Sequence, residues 1–83
     1  MSLASTRTIL YVLPLWPGCA RVRRLADELG LDLELRDLLT SGQAREELRE
    51  AAGGMHVPCL VHGITVIKGA GAIEKYLRLR YGK

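Results

Sequence analysis

The side chains of this 83-residue chain with the most chemistry in them are Cys19, Cys59, His56 and His62. A cysteine attacks as its thiolate, and the positive end of a helix or a nearby guanidinium favours that form. Cys19 closes the stretch Trp16-Pro17-Gly18-Cys19, with Arg21 and Arg23 just beyond it. It therefore has two readings: a thiolate near a helix N-terminus, or a small buried apolar residue about one turn into that helix. Cys59 follows Pro58 at the start of an apolar run and reads first as a core residue. The cysteines and histidines contain no closely spaced ligand pair of the kind zinc sites use, so no metal is expected. Trp16 has neither acid–base nor nucleophilic chemistry. It is a hydrophobic plug or a platform for a stacked ligand.

The elements that must position these residues follow from the pattern of apolar side chains. Ile9 to Leu13 is an unbroken apolar run, which suits a strand covered on both faces. Pro14 ends it, and Pro17 fits the first turn of a helix, where its missing N–H costs nothing. Cys19, Val22, Leu25, Ala26 and Leu29 recur at helical spacing up to Gly30, a helix stop. Leu31, Leu33 and Leu35 alternate with charged residues, as in a strand near a sheet edge. A second helix starts near Thr40, capped by its hydroxyl with Gln43 reaching back, and runs to about Ala52. Its apolar face, Ala44, Leu48 and Ala51, is thin, which predicts the least firmly packed helix. Val57–Val61 and Ile64–Ile67 flank His62-Gly63 as a hairpin, with His56 and His62 at the ends of its first strand. Gly69-Ala70-Gly71 leads into a last helix with Ile73, Tyr76, Leu77 and Tyr81 on one side. The order is βαβαββα, an α/β fold. A right-handed crossover makes the first two strands parallel, the hairpin adds two antiparallel strands, and helices cover both faces of the mixed four-stranded sheet.

Composition narrows the class. Residues 1–83 make one domain at most, with a core resting on Leu, Val, Ile and Ala because Phe is absent. No apolar run is long enough to span a bilayer, and Met1 to Thr8 lacks the apolar centre of a signal peptide. The expectation is a cytoplasmic protein with no membrane partner. The net charge of +3 is modest, and no aromatic residues interleave with the basic ones, which argues against nucleic acid as a partner. Arg21, Arg23, Arg24, Arg45 and Arg49 read mainly as solvated helix faces, though guanidinium groups also suit carboxylates.

From Leu10 through the Trp16-Pro17-Gly18-Cys19 turn to Leu29-Gly30-Leu31, the chain resembles the opening of glutaredoxins and of the N-terminal domain of glutathione transferases. Val57-Pro58 is similar to the Val-Pro of those families, whose proline is cis and faces the active-site turn. Gly69-Ala70-Gly71 stands where they bind the γ-glutamyl end of glutathione. The resemblance covers nearly the whole chain, which in length is closer to a glutaredoxin. It implies a thioredoxin (glutaredoxin-like) fold, with glutathione or a thiol-bearing protein as partner. Glutathione is the one cofactor-like molecule implied, as ligand or co-substrate.

The resemblance also sorts the residues. It makes Trp16, Pro17 and Gly18 the active-site turn, and Val57, Pro58, Gly69, Ala70 and Gly71 the substrate contacts. Arg45 or Arg49 would hold a peptide carboxylate. It sets Cys19 facing Pro58 and brings Cys59 toward the active-site turn, where a Cys19–Cys59 disulfide would need Cα atoms within about 7 Å. Several positions depart from the families. Trp16 occupies the place of the attacking cysteine, or of the transferase residue that touches the glutathione sulfur. Leu13 stands where glutaredoxins often carry a lysine, and Ala70, Gly71 and Ala72 leave only backbone N–H groups in the γ-glutamyl loop. An iron–sulfur role would need the missing first cysteine. The sequence therefore points to a glutaredoxin-like thiol protein exchanging disulfides through Cys19. Its alternatives are a non-catalytic module binding a peptide or small thiol in the cleft by the proline, and an interaction module using Leu15 and Trp16.

Overall fold

The structure, a computed structural model, describes residues 7–82. Residues 1–6, most of the segment weighed above as a leader, and Lys83 lie outside the described part. Seven elements follow in order: β1 (Thr8–Val12), α1 (Cys19–Glu28), β2 (Glu34–Asp37), α2 (Gly42–Ala52), β3 (Cys59–His62), β4 (Thr65–Lys68) and α3 (Ala70–Tyr81). The strands form one mixed sheet in the order β2-β1-β3-β4. β1 runs parallel to β2 and antiparallel to β3, and β3 and β4 form the hairpin. This is the α/β thioredoxin-like fold that the element order predicts.

The central place of β1 explains its unbroken apolar run. Successive side chains of a strand point to opposite faces. Leu10 and Val12 join Val22, Leu25, Leu60, Ile73 and Leu77 under α1 and α3. Tyr11 joins Leu38, Ala44, Leu48 and Ala52 under α2, with Ile9 and Leu13 packed at the margin. The sheet thus separates two apolar layers. The α2 layer is the smaller, and Ala44, Leu48 and Ala52 form its helical stripe while Ala51 is exposed. Spacing of four residues along one side of the helix selects Ala52 over the predicted Ala51. A polar clasp reinforces this layer: Glu47 of α2 accepts from Tyr11 Oη (3.1 Å) and from Arg36 of β2 (3.1 and 2.8 Å).

Several boundaries move from their predicted places, each for a local reason. β2 begins at Glu34 because its partner pairing begins at Ile9↔Glu34. Leu31 and Leu33 precede it and pack on the α1/α3 layer instead. Ser41, not Thr40, caps α2, since Ser41 is extended and its Oγ accepts from Ala44 N–H at 3.0 Å. His62 pairs with Thr65, so the hairpin turn is Gly63-Ile64 and Ile64 is fully exposed. α1 opens at Cys19, after a separate turn holding Pro17 and Gly18, so Cys19 is the first helical residue and Pro17 is outside the helix. None of the described helices is long and apolar enough to cross a membrane.

Candidate functional site

Three chain segments distant in sequence meet at one end of the sheet. The turn between β1 and α1 is closed by Trp16 N–H donating to the Leu13 carbonyl (2.9 Å) and Cys19 N–H donating to the Trp16 carbonyl (3.3 Å). Gly18 between them has φ of 96°, a conformation that L side chains rarely adopt. A Cβ on Gly18 would lie 3.0 Å from Ala70 Cβ and 3.7 Å from Pro58 Cδ. The turn therefore lies directly against the start of α3 and the loop before β3. The Val57–Pro58 peptide bond is cis, and the Pro58 carbonyl accepts from Gly69 N–H at 2.9 Å. That bond ties the β3 entry to the α3 entry.

Beside this junction is an open cleft of about 360 Å³, lined by Trp16, Met55, His56, Val57, Lys68 and Gly69. Trp16 and Met55 are half exposed, and the lining carries Lys68 and His56 but no carboxylate. No side chain caps α3, whose first residues, Ala70 and Gly71, adjoin the cleft after Gly69. The unbonded N–H groups of a helix start favour an anion. Sequence reasoning missed Met55 and Lys68, and it passed over His56 as a loop residue. The only sequence signal for them was their position on either side of Pro58 and Gly69.

The cysteines lie elsewhere. Cys19 is 2% exposed and packs in the α1/α3 layer, while Cys59 is fully buried in the α2 layer. Both are free thiols. Cys59 is opposite Tyr11 in the strand register and shares its face of the sheet, so it turns away from the active-site turn and from Cys19. Burial pushes the Cys59 thiol pKa up, with Lys68 offsetting only part of that effect. Cys19 also borders a small cavity of about 170 Å³ between α1 and β2, together with Arg23 and Asp37. Arg21, the other arginine near Cys19, is paired with Glu74 across α1 and α3.

The two arginines expected to hold a carboxylate are outside the cleft. Arg45 donates to the Leu38 carbonyl at 2.6 Å, and Arg49 is paired with Glu46 on the exposed side of α2. Their guanidinium groups are occupied by their own helix and by the loop that enters it. His62 ends β3 with Nδ1 3.3 Å from Tyr76 Oη, a contact between strand and α3. Among the described residues no group of three or more His, Cys, Asp or Glu side chains is placed to hold a metal ion.

With this geometry, the match to known proteins is specific. The glutaredoxin family model matches residues 8–67. The chain belongs to the glutaredoxin family. No curated protein matches its sequence. Among solved structures, it is similar to a glutathione transferase of Bombyx mori, with 27% identity, a TM-score of 0.79, and coverage of 95% of this chain and 38% of that one. A glutathione transferase homologue of Drosophila mojavensis, solved with bound glutathione, has 29% identity and a TM-score of 0.77, covering 94% of this chain and 36% of the other. A glutaredoxin of Archaeoglobus fulgidus shares the fold, with 21% identity, a TM-score of 0.76, and coverage of 95% and 92%. The chain thus spans little more than a third of the transferases it resembles, and nearly all of that glutaredoxin. Family and neighbours support a thiol-redox or glutathione-related role for the glutaredoxin-like domain.

Proposed function

We propose that this domain binds glutathione, or a small peptide like it, in the cleft between Trp16, Val57-Pro58 and the start of α3, without dithiol catalysis. One observation carries the reading: Trp16 holds the exposed position of the turn, while the Cys19 thiol, at 2% exposure, is inside the core. Thiol–disulfide exchange needs in-line access of a thiolate to a disulfide sulfur. A sulfur packed among Val12, Val22 and Ile73 does not offer it. The cleft keeps what binding needs. Lys68, His56 and the uncapped α3 start suit the carboxylates of the peptide.

Trp16 is the only tryptophan, so its fluorescence reads the cleft directly. Glutathione is expected to shift that emission saturably, and Lys68→Glu to weaken the binding by tenfold or so, about 1.4 kcal/mol. No saturable change with any glutathione form would sink the reading. A second reading, exchange through Cys19, is favoured by the small cavity where Cys19 borders Arg23. It predicts a glutathione adduct on Cys19 forming faster than on a model thiol when the folded, reduced protein meets oxidised glutathione. Intact mass and peptide mapping decide between the two.

A further inference from the structure

We infer that the free edge of β2 pairs with the same edge of a second copy of this chain, antiparallel, about a two-fold axis at Leu35. The pairing is independent of the glutathione reading, because no residue lining the cleft is on β2. It is association alone: no covalent bond forms or breaks.

Three observations carry it. The first is the direction of the backbone. β2 is an outer strand, paired with β1 on one side only. Leu38 N–H donates to the Val12 carbonyl at 2.9 Å, so the backbone groups of that residue turn toward β1. Those of successive strand residues point to opposite sides, which turns Glu34 and Arg36 to β1 and leaves Leu35 and Asp37 facing the open edge. The edge lacks the usual protection: β2 has no proline and no lysine, and Glu34 and Arg36 are tied back to Arg7 and Glu47. The second is self-complementarity. Leu35 is opposite Leu10 in the sheet, so it lies on the α1 face, and it is 43% exposed. Residues opposite each other across an antiparallel pair share a face. With Leu35 opposite its own copy, Glu34 faces the partner's Arg36 and Arg36 faces the partner's Glu34. Both charge pairs fall at the non-hydrogen-bonded positions, where Cα atoms come within about 4.5 Å. Sliding the strands by two residues would set Glu34 against Glu34 or Arg36 against Arg36, and sliding by one would turn Leu35 to the wrong face. Charge and face together select one register. The third is the groove beside the edge. Leu35 borders two small cavities of about 150 and 170 Å³ between α1 and β2, and Arg23 lines both. Arg23 joins no ion pair among the described residues. In the selected register the partner's Asp37 stands opposite Leu33, which lines the first cavity with Arg23, so an unpaired guanidinium gains a carboxylate. The strand is only four residues long, so the product is a weak, reversible dimer.

Sedimentation velocity of the full chain, from about 1 μM to about 1 mM, reads the association. The expected result is a monomer–dimer equilibrium with a midpoint on the order of 10–100 μM. Leu35→Lys sets two cations together at the axis and should weaken association by about tenfold or more. Glu34→Lys and Arg36→Glu each set like charges opposite one another, twice per dimer, and should each weaken it by about tenfold. Mixed together, those two chains should associate with each other to within about threefold of the unaltered protein, because a cation then faces an anion at both positions. Circular dichroism checks that each variant is folded. Leu35→Lys touches neither ion pair of the single chain, so it decides the matter even if Arg36→Glu, which loses the contact with Glu47, does not fold. A chain that stays monomeric over the whole range overturns the inference. So does a dimer that Leu35→Lys leaves intact, or one that the mixture of folded charge variants does not restore, since the pairing would then lie elsewhere on the surface.

Discussion

Replacing Gly18 with alanine tests how the site is assembled. Two costs are expected. The first is conformational: φ of 96° is disfavoured for a residue with a Cβ, at about 1–3 kcal/mol. The second is steric, because the new Cβ would stand 3.0 Å from Ala70 Cβ, tighter than nine in ten real Cβ contacts, with Pro58 Cδ at 3.7 Å behind it. Overpacking of this kind costs about 1–3 kcal/mol. The sum is roughly 2–6 kcal/mol, a large share of the stability of a small domain. Gly30→Ala supplies the reference, since Gly30 also has a positive φ, 70°, but nothing lies within 4 Å of its added Cβ. It should lose the conformational part alone, about 1–2 kcal/mol. Urea denaturation gives the three midpoints. Gly18→Ala combined with Ala70→Gly should recover the steric part and leave the conformational part, a coupling of about 1–3 kcal/mol in a double-mutant cycle. If Gly18→Ala costs no more than Gly30→Ala, or if Ala70→Gly restores nothing, then the turn does not press on α3 and the account of the site is wrong.

Other expectations follow from single contacts. The Tyr11 phenol, with an ordinary pKa of 10.0, is pushed up to about 12 by burial first and by its hydrogen bond to Glu47. Folding thus favours the protonated phenol, and its contribution is complete below pH 10 and lost as pH rises through 12. About 2–3 kcal/mol should go over that window, and Tyr11→Phe should flatten the slope in alkaline denaturation curves. Ser41→Ala should cost about 1 kcal/mol through loss of the α2 cap, and Thr40→Ala a few tenths at most, by thermal melting. Arg49→Ala should leave glutathione affinity within a factor of two, because its partner is Glu46 on the exposed face; a tenfold loss would return it to the site.

The fold was legible because its signals are periodic and local. β1 is apolar on both faces, so Ile9 to Leu13 announced a central strand, and the glycines after α1 and α2 marked their ends. The proximity of the turn, Pro58 and the glycine loop was readable only through resemblance to known families, since no local pattern joins residues 18, 58 and 70. The cleft's Met55, His56 and Lys68 were invisible for the same reason. The orientation of Cys59 was within reach: a strand residue opposite Tyr11 must share its face, but the register that sets them opposite is a tertiary fact. Arg45 and Arg49 sit apart from the cleft for another reason. A guanidinium on a helix takes the acceptor nearest to hand, and here those were the Leu38 carbonyl and Glu46.

The sheet that parts the two apolar layers leaves one thiol in each, Cys19 under α1 and α3, Cys59 under α2. The domain therefore carries a built-in pair of stopwatches, one per compartment. In a pulse of thiol-modifying reagent under native conditions, each sulfur is labelled only when its own layer opens. The α2 compartment has fewer large side chains and should open more often despite the polar clasp at its rim, so Cys59 should be modified before Cys19. Equal rates would mean that the two layers come apart only together.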